Sequence, residues 1–285
     1  MRILITGAGG QLGRELQRSL AGETVFPLGH GELDVTDLEA CHRVVRELRP
    51  EVVIHSAAYT DVDGCETNPD RAYMVNATAT RNVATACSEQ DATLVYISTD
   101  YVFDGTKGSP YVETDEPNPV SKYGSSKLEG ERYVMASLAR HYIVRTSWLY
   151  SNYARNFVKT ILSRAPQGDL LGVVDEIGSP TFAADLADGL ARLVHHNSYG
   201  IFHLANEGSC SRCEWINAIV GMAGIPAAVR PVTAEEFLAA YPLLAQRPRN
   251  STLRNCRAAN DLGIALRPWR EALSEMLEIE IGNQQ

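Results

Sequence analysis

The stretch "PVSKYGSSKLEGE" (119–131) sets a phenol and an ammonium, Tyr123 and Lys127, four residues apart. On a helix that spacing puts both on one face, one turn apart. Such a pair can hold and release a proton; the competing reading is a tyrosine packed against a lysine stem. A second polar set, Ser98, Thr99, Asp100 and Tyr101, closes the apolar run of "ISTDYVFDG" (97–105). If that run is a parallel strand, these residues lie at its carboxyl end, where ligands meet an open α/β sheet. Strand, loop and helix would then carry Thr99 toward Tyr123, so that a hydroxyl, a phenol and an ammonium converge.

The third set is the turn "GAGGQLG" (7–13), with Gly7, Gly10 and Gly13 spaced three residues apart between a strand-like run and a helical one. Gly7 would permit the tight turn, Gly10 a close approach of backbone to pyrophosphate, and Gly13 close packing of the helix. The unpaired N–H groups that open the helix, at Gln11 and Leu12, would serve as phosphate donors. The turn therefore predicts a dinucleotide; the alternative is a glycine-rich turn with no ligand. After the second apolar run, "TVFPLG" (24–29), an acid normally holds the adenosine ribose of NAD. Here the chain reads "HGELDVTD" (30–37): Glu32 is displaced, and Asp34 and Val35 follow where they could border an adenine. Arg14 is the nearest arginine along the chain for a 2′-phosphate, so NADPH and NADH both stay open.

The elements that must position these sets alternate. "RILITG" (2–7), "VVIHSA" (52–57), "TLVYIS" (93–98), "YIVRTS" (142–147) and "GIFHLA" (200–205) read as strands buried on both faces. Helical patterns fall at 11–20, 37–48, 70–90 and 181–196, with Thr36 and Glu39 spaced as a capping box. The fold class is α/β, a doubly wound parallel sheet of the Rossmann kind, with a smaller, mostly helical C-terminal substrate lobe. The expected division is a dinucleotide-binding domain over 1–150, to which 168–205 returns, and a substrate lobe over 206–285, to which 151–167 contributes.

Bulk properties narrow the function. The chain has 285 residues, 45% of them hydrophobic, and a formal net charge of -9 without a basic block, which argues against nucleic acid as a partner. Its apolar runs are too short to span a membrane. The strand-like run begins at Arg2, so a signal peptide is not expected and a cytoplasmic location is. Six cysteines are scattered, and Cys210 and Cys213 form a lone CxxC that lacks the second half of a zinc site. Reduced thiols are the expectation.

"GAGGQLG", "AAYTDVDGCE", "STDYVFDG", "YGSSK", "RTSWLY" and "RPRNSTL" together resemble an extended short-chain dehydrogenase/reductase, and more narrowly the dTDP-4-dehydrorhamnose reductases, over residues 2 to about 280. The resemblance implies NAD(P)H-dependent reduction of the C4 keto group of dTDP-4-dehydro-L-rhamnose, with a dTDP-sugar as the substrate partner. It implies Tyr123 as proton donor, Lys127 as the ammonium that lowers the phenol's pKa and holds the nicotinamide ribose, and Thr99 as hydrogen-bond partner of the carbonyl oxygen. It adds Ala57, Ala58 and Tyr59 to the cofactor side, and Asp100, Tyr101, Trp148, Asn156, Arg247, Arg249, Asn250 and Ser251 to the substrate side. The two arginines are matched to the diphosphate. Asn76 in "MVNATAT" matches an asparagine common in the superfamily. Glu176 and Asp61 depart from the family pattern. Some members bind magnesium between subunits, and Glu15 stands at a matching position; neither a metal site nor the possible homodimer is assigned. The alternatives are a nucleotide-sugar epimerase or dehydratase, and a non-catalytic regulatory subunit resembling that of methionine adenosyltransferase. Tyr101 after Asp100 argues against a dehydratase, which carries a second acid there.

Overall fold

Alternation along each strand builds two cores, one on either face of a parallel sheet. The computed structural model describes residues 1–242 and 244–282. Five strands, β1 (Arg2–Thr6), β2 (Thr24–Leu28), β3 (Val52–His55), β4 (Thr93–Thr99) and β5 (His141–Thr146), join the strand Gly200–His203 in one six-stranded sheet. The order from one edge is β2, β1, β3, β4, β5 and Gly200–His203, with every pairing parallel. Ile3 and Ile5 point to one core with Leu12 and Leu16 of helix α1 (Gln11–Ser19) and Leu186 and Leu190 of the helix Ala183–Leu193. Leu4 and Val53 point to the other, with Val45 of α2 (Leu38–Leu48), Val83 and Val134. The chain reverses its direction of travel between β1 and β3, so a crevice opens at their carboxyl ends, the place where such sheets bind ligands.

Several local expectations are corrected. The N-cap of α2 is Asp37, whose carboxylate accepts the Ala40 N–H at 3.1 Å. Thr36 instead donates its N–H and hydroxyl to Asp34 at 2.9 and 2.7 Å. The helix expected over 70–90 is interrupted: a π-helical turn, Met74–Thr78, separates Pro69–Tyr73 from Ala79–Glu89. A π turn displaces carbonyls from the α ladder, and the Asn76 carbonyl is taken by the hydroxyls of Thr80 at 2.8 Å and Tyr96 at 3.2 Å.

Most of the segment 168–182, expected to return to the first domain, pairs with the second lobe, while Thr181–Phe182 lies parallel to Leu149–Tyr150. Leu170–Val173 lies parallel to Val229–Val232, and Ile177–Gly178 antiparallel to Cys210–Ser211. The chain rejoins the first core at Ala183–Leu193, and Ala258 and Ile264 also pack there, well beyond residue 206. The second lobe has its own core, built around Trp215, Ile219, Phe182, Trp269, Leu273 and Met276. Among the described residues, no helix is long and apolar enough to cross a membrane.

Candidate functional site

The glycine turn is shaped by steric need. Gly7 has φ +68°, and a Cβ there would lie 2.6 Å from the Ala57 nitrogen. Only glycine meets both demands cheaply, and the contact seats the turn on the segment that follows β3. Gly10 precedes α1 without a side-chain cap, so the first-turn N–H groups at Gln11, Leu12 and Gly13 border a cleft of about 520 Å³. Such an uncapped start leaves its first N–H groups without a side-chain partner.

Across that cleft stand the polar residues at the end of β4. Thr99 is buried; its hydroxyl accepts the Tyr101 N–H and donates to Asp100, each at 3.2 Å. Tyr123 lies in the first turn of the helix Lys122–Ser137, whose N-cap Ser121 accepts the Gly124 N–H at 3.2 Å. Any Cβ at residue 124 would run into the Tyr101 carbonyl oxygen, so glycine lets this helix press onto the β4 loop. Tyr123 and Tyr101 then meet edge to face at 5.8 Å. Lys127, one turn on, is 2% exposed, with its ammonium 4.1 Å from the Tyr96 ring centroid. Thr99, Tyr123 and Lys127 all line the cleft that the glycine turn borders.

Burial governs the titration of this group. It pushes the Lys127 ammonium down to about 7, against the opposing pull of Glu131. It also raises the Tyr123 phenol, with Thr99 pulling the other way. The lowering of Tyr123 expected from Lys127 is not seen: burial raises the phenol, Asp100, Tyr101 and Cys65 add to the rise, and Thr99 opposes it. A raised phenol is still a competent donor, because an alkoxide is a far stronger base than a phenolate. Beneath the site Glu131 and Arg145, both essentially fully buried, form a two-bonded pair at 2.9 and 2.7 Å, with the Ser98 hydroxyl donating to the same carboxylate.

Asp100 is 2% exposed and accepts from Thr99, from Ser147 at 2.9 Å and from Ser251. Burial pushes its carboxyl up to about 6, and the three hydroxyls resist that rise. Ser251 borders neither main cavity; it anchors Asp100 and so ties the second lobe to β4. Tyr101 and Trp148 line both the main cleft and an adjoining cavity of about 400 Å³. Asn156 borders the main cleft and caps the helix Phe157–Arg164, accepting the Lys159 N–H at 3.2 Å.

Other expected contacts fall outside the cavities. Ala58 lines the cleft and Ala57 abuts Gly7, but Tyr59 lies beneath Arg71, 4.7 Å from its guanidinium. Asn76 fixes that loop, accepting the Tyr59 N–H at 2.8 Å and donating to the Tyr59 carbonyl and to Ser126. Asp34 is exposed and engaged by Thr36, and Val35 is buried in the core beside α2; neither lines the cleft. Arg247 borders the second cavity but is paired with Asp63 at 2.7 Å. Arg249 is half-exposed, is paired with Asp175 and borders neither cavity. Asn250 is held in the loop, accepting the Thr252 N–H at 3.1 Å. Asp61 caps the helix Val62–Thr67, and Glu15 pairs with Arg18 at 3.2 Å. Cys210 and Cys213 are free buried thiols, and burial pushes Cys210 up to about 12. Sequence reasoning missed Arg212, which lines both cavities and sits between the cysteines of the lone CxxC, where nothing marked it as a ligand group.

The parallel sheet, the glycine turn and the Thr–Tyr–Lys group define a nicotinamide-dependent oxidoreductase of the extended short-chain class. The chain belongs to the RmlD substrate binding domain family, whose model matches residues 1–281. It is similar to a spore coat polysaccharide biosynthesis protein, SpsK, of Bacillus subtilis, 40% identical over 280 residues, with 97% of each chain covered. Among solved structures it resembles a dTDP-4-dehydrorhamnose reductase from Clostridium acetobutylicum, with a TM-score of 0.94, 43% identity and coverage of 98% of this chain and 99% of that one. A second, from Bacillus anthracis in complex with NADP, has a TM-score of 0.92, 41% identity and coverage of 96% and 98%.

Proposed function

We propose that the protein reduces the C4 keto group of dTDP-4-dehydro-L-rhamnose to give dTDP-L-rhamnose. The observation that carries this reading is the meeting of Thr99, Tyr123 and Lys127 on the cleft that begins at the uncapped start of α1. The reading is supported by the reductases of similar sequence and fold. A reduced nicotinamide supplies the hydride when bound. Gln11 and Leu12 offer N–H groups to its pyrophosphate, and Gly7, seated against Ala57, holds the turn that presents them. NADPH is the preferred form: Glu32, the acid nearest the end of β2, is occupied by the Gly29 N–H at 2.8 Å, which leaves it poorly placed to hold a ribose hydroxyl.

Tyr123 donates its phenolic proton to the oxygen that becomes an alkoxide. Thr99 hydrogen-bonds the same oxygen and steadies its growing charge. Lys127, buried beside Tyr96, holds the nicotinamide ribose and, as an ammonium, stabilises the phenolate left on Tyr123. Trp148 and Tyr101 wall the sugar on the lobe side. The test is nicotinamide absorbance with dTDP-4-dehydrorhamnose added, NADPH and NADH side by side. Oxidation of NADPH that depends on the sugar nucleotide is the expected result; none with either cofactor would refute the assignment.

A further inference from the structure

The two cavities meet at Arg212, the first residue of the helix Arg212–Met222. Its guanidinium lies 3.5 Å from the Trp148 ring centroid and 5.1 Å from that of Phe157. Trp148 cannot retreat from this stack. Its φ is +45°, and its indole presses on Gly178, where a Cβ would lie 2.6 Å from Nε1. The aromatic wall therefore fixes the plane of a guanidinium, which leaves its N–H edge to face the cavities.

What distinguishes Arg212 from the two arginines of "RPRN" is its freedom. Arg247 is bonded to Asp63 at 2.7 Å and Arg249 is bonded to Asp175. The nearest carboxylate oxygen to Arg212 among the described residues belongs to Glu176, at 3.8 Å, beyond hydrogen-bond reach. Glu176 lines the second cavity and stands where the family pattern has a neutral residue. An unbalanced carboxylate there would repel an anionic ligand, and Arg212 offsets it. Arg212 is also among the groups that pull the Asp100 and Tyr101 titrations down, which places its charge within range of the reacting end of the cleft.

We propose that Arg212, with Glu176 as its counter-charge, takes the diphosphate of the nucleotide sugar at the junction of the two cavities. This rests on the reading of the site as a nucleotide-sugar reductase and adds the residue pair that reads the phosphates. The test is calorimetric binding of dTDP and of dTMP to the NADP-loaded wild type, Arg212→Met and Glu176→Gln. Methionine keeps an apolar stem against Trp148 and removes the donors. Hydrogen bonds to a charged group support an expected loss of dTDP affinity of about 10- to 100-fold in Arg212→Met, with dTMP much less affected. Glu176→Gln should change dTDP affinity in the opposite direction, tightening it by about threefold. Equal dTDP affinity in Arg212→Met and wild type, or equal losses for dTDP and dTMP, would overturn the role of Arg212. A Glu176→Gln protein that binds dTDP more weakly would overturn the counter-charge. A wild type that binds neither nucleotide would instead refute the underlying nucleotide-sugar reading.

Discussion

The floor and the wall of the cleft are built on opposite plans. On the floor, Thr99, Tyr123 and Lys127 come from one strand end and one helix turn, and their partners Asp100 and Glu131 are the next residue in the chain or one turn further along the helix. On the wall, each of the two arginines of "RPRN" is disposed by a residue far away in sequence. Asp63 takes Arg247 and the N–H groups of Leu244 and Ala245, and Asp175 takes Arg249. The contrast shows that chemistry set by local geometry is readable from spacing. A binding cation is identified only by which carboxylates leave it free.

The sharpest test of the floor is Tyr123→Phe. Turnover should fall by about 10² to 10⁴ with NADPH affinity retained, because only the proton donor is lost. Near-normal steady-state turnover would remove Tyr123 from the chemistry. Next comes the buried pair beneath it. Arg145→Met leaves Glu131 charged and unpaired in the core, so stability should drop by about 3–5 kcal/mol in urea titration. A loss below 1 kcal/mol would mean that the floor does not depend on this pair.

Asp100 joins the two regions, and its effect should depend on pH. Its carboxyl stands near 3.8 unfolded and about 6 folded. Between those values the folded state binds more protons, so stability falls as pH rises through the window. The accumulated cost at neutral pH is about 3 kcal/mol. Asp100→Asn should therefore gain stability relative to wild type from pH 4 to 6.5 and hold the gain above that. Parallel thermal-midpoint curves for the two proteins would contradict the burial argument.

The smallest effect separates the two wall arginines. Arg249→Ala should leave stability within about 0.5 kcal/mol, as for a surface change, and should barely move KM for the sugar nucleotide. Arg247→Ala should raise KM several-fold, since Arg247 lines the second cavity and its loss frees Asp63. Equal KM values for the two variants would erase the distinction that tertiary pairing draws between them.

Much of the floor was legible because it is local. The strand runs, the glycine turn and the Tyr–Lys spacing follow from continuous apolar stretches buried on both faces, a left-handed Gly7 and one helical turn, and each depends on neighbours within a few residues. The resemblance of the motifs carried the reaction class in the same way. Other features were decided by distant contacts. Asp34 could border an adenine by its place after β2, yet its carboxylate is closed off by Thr36 in the α2 entry turn. Segment 168–182 follows a helix and reads as a return to the sheet, but Leu170–Val173 finds its hydrogen-bonding partner at Val229–Val232. Tyr123 was expected to be lowered by its lysine, but the solvation that burial removes is a property of the whole fold. The sequence alone determined that a hydroxyl, a phenol and an ammonium would share a cleft with a glycine turn. Only the tertiary structure decided that Arg249 is committed to Asp175 and that Arg212, stacked on Trp148, is held only loosely by Glu176, because ion pairing depends on distances in space that chain spacing does not encode.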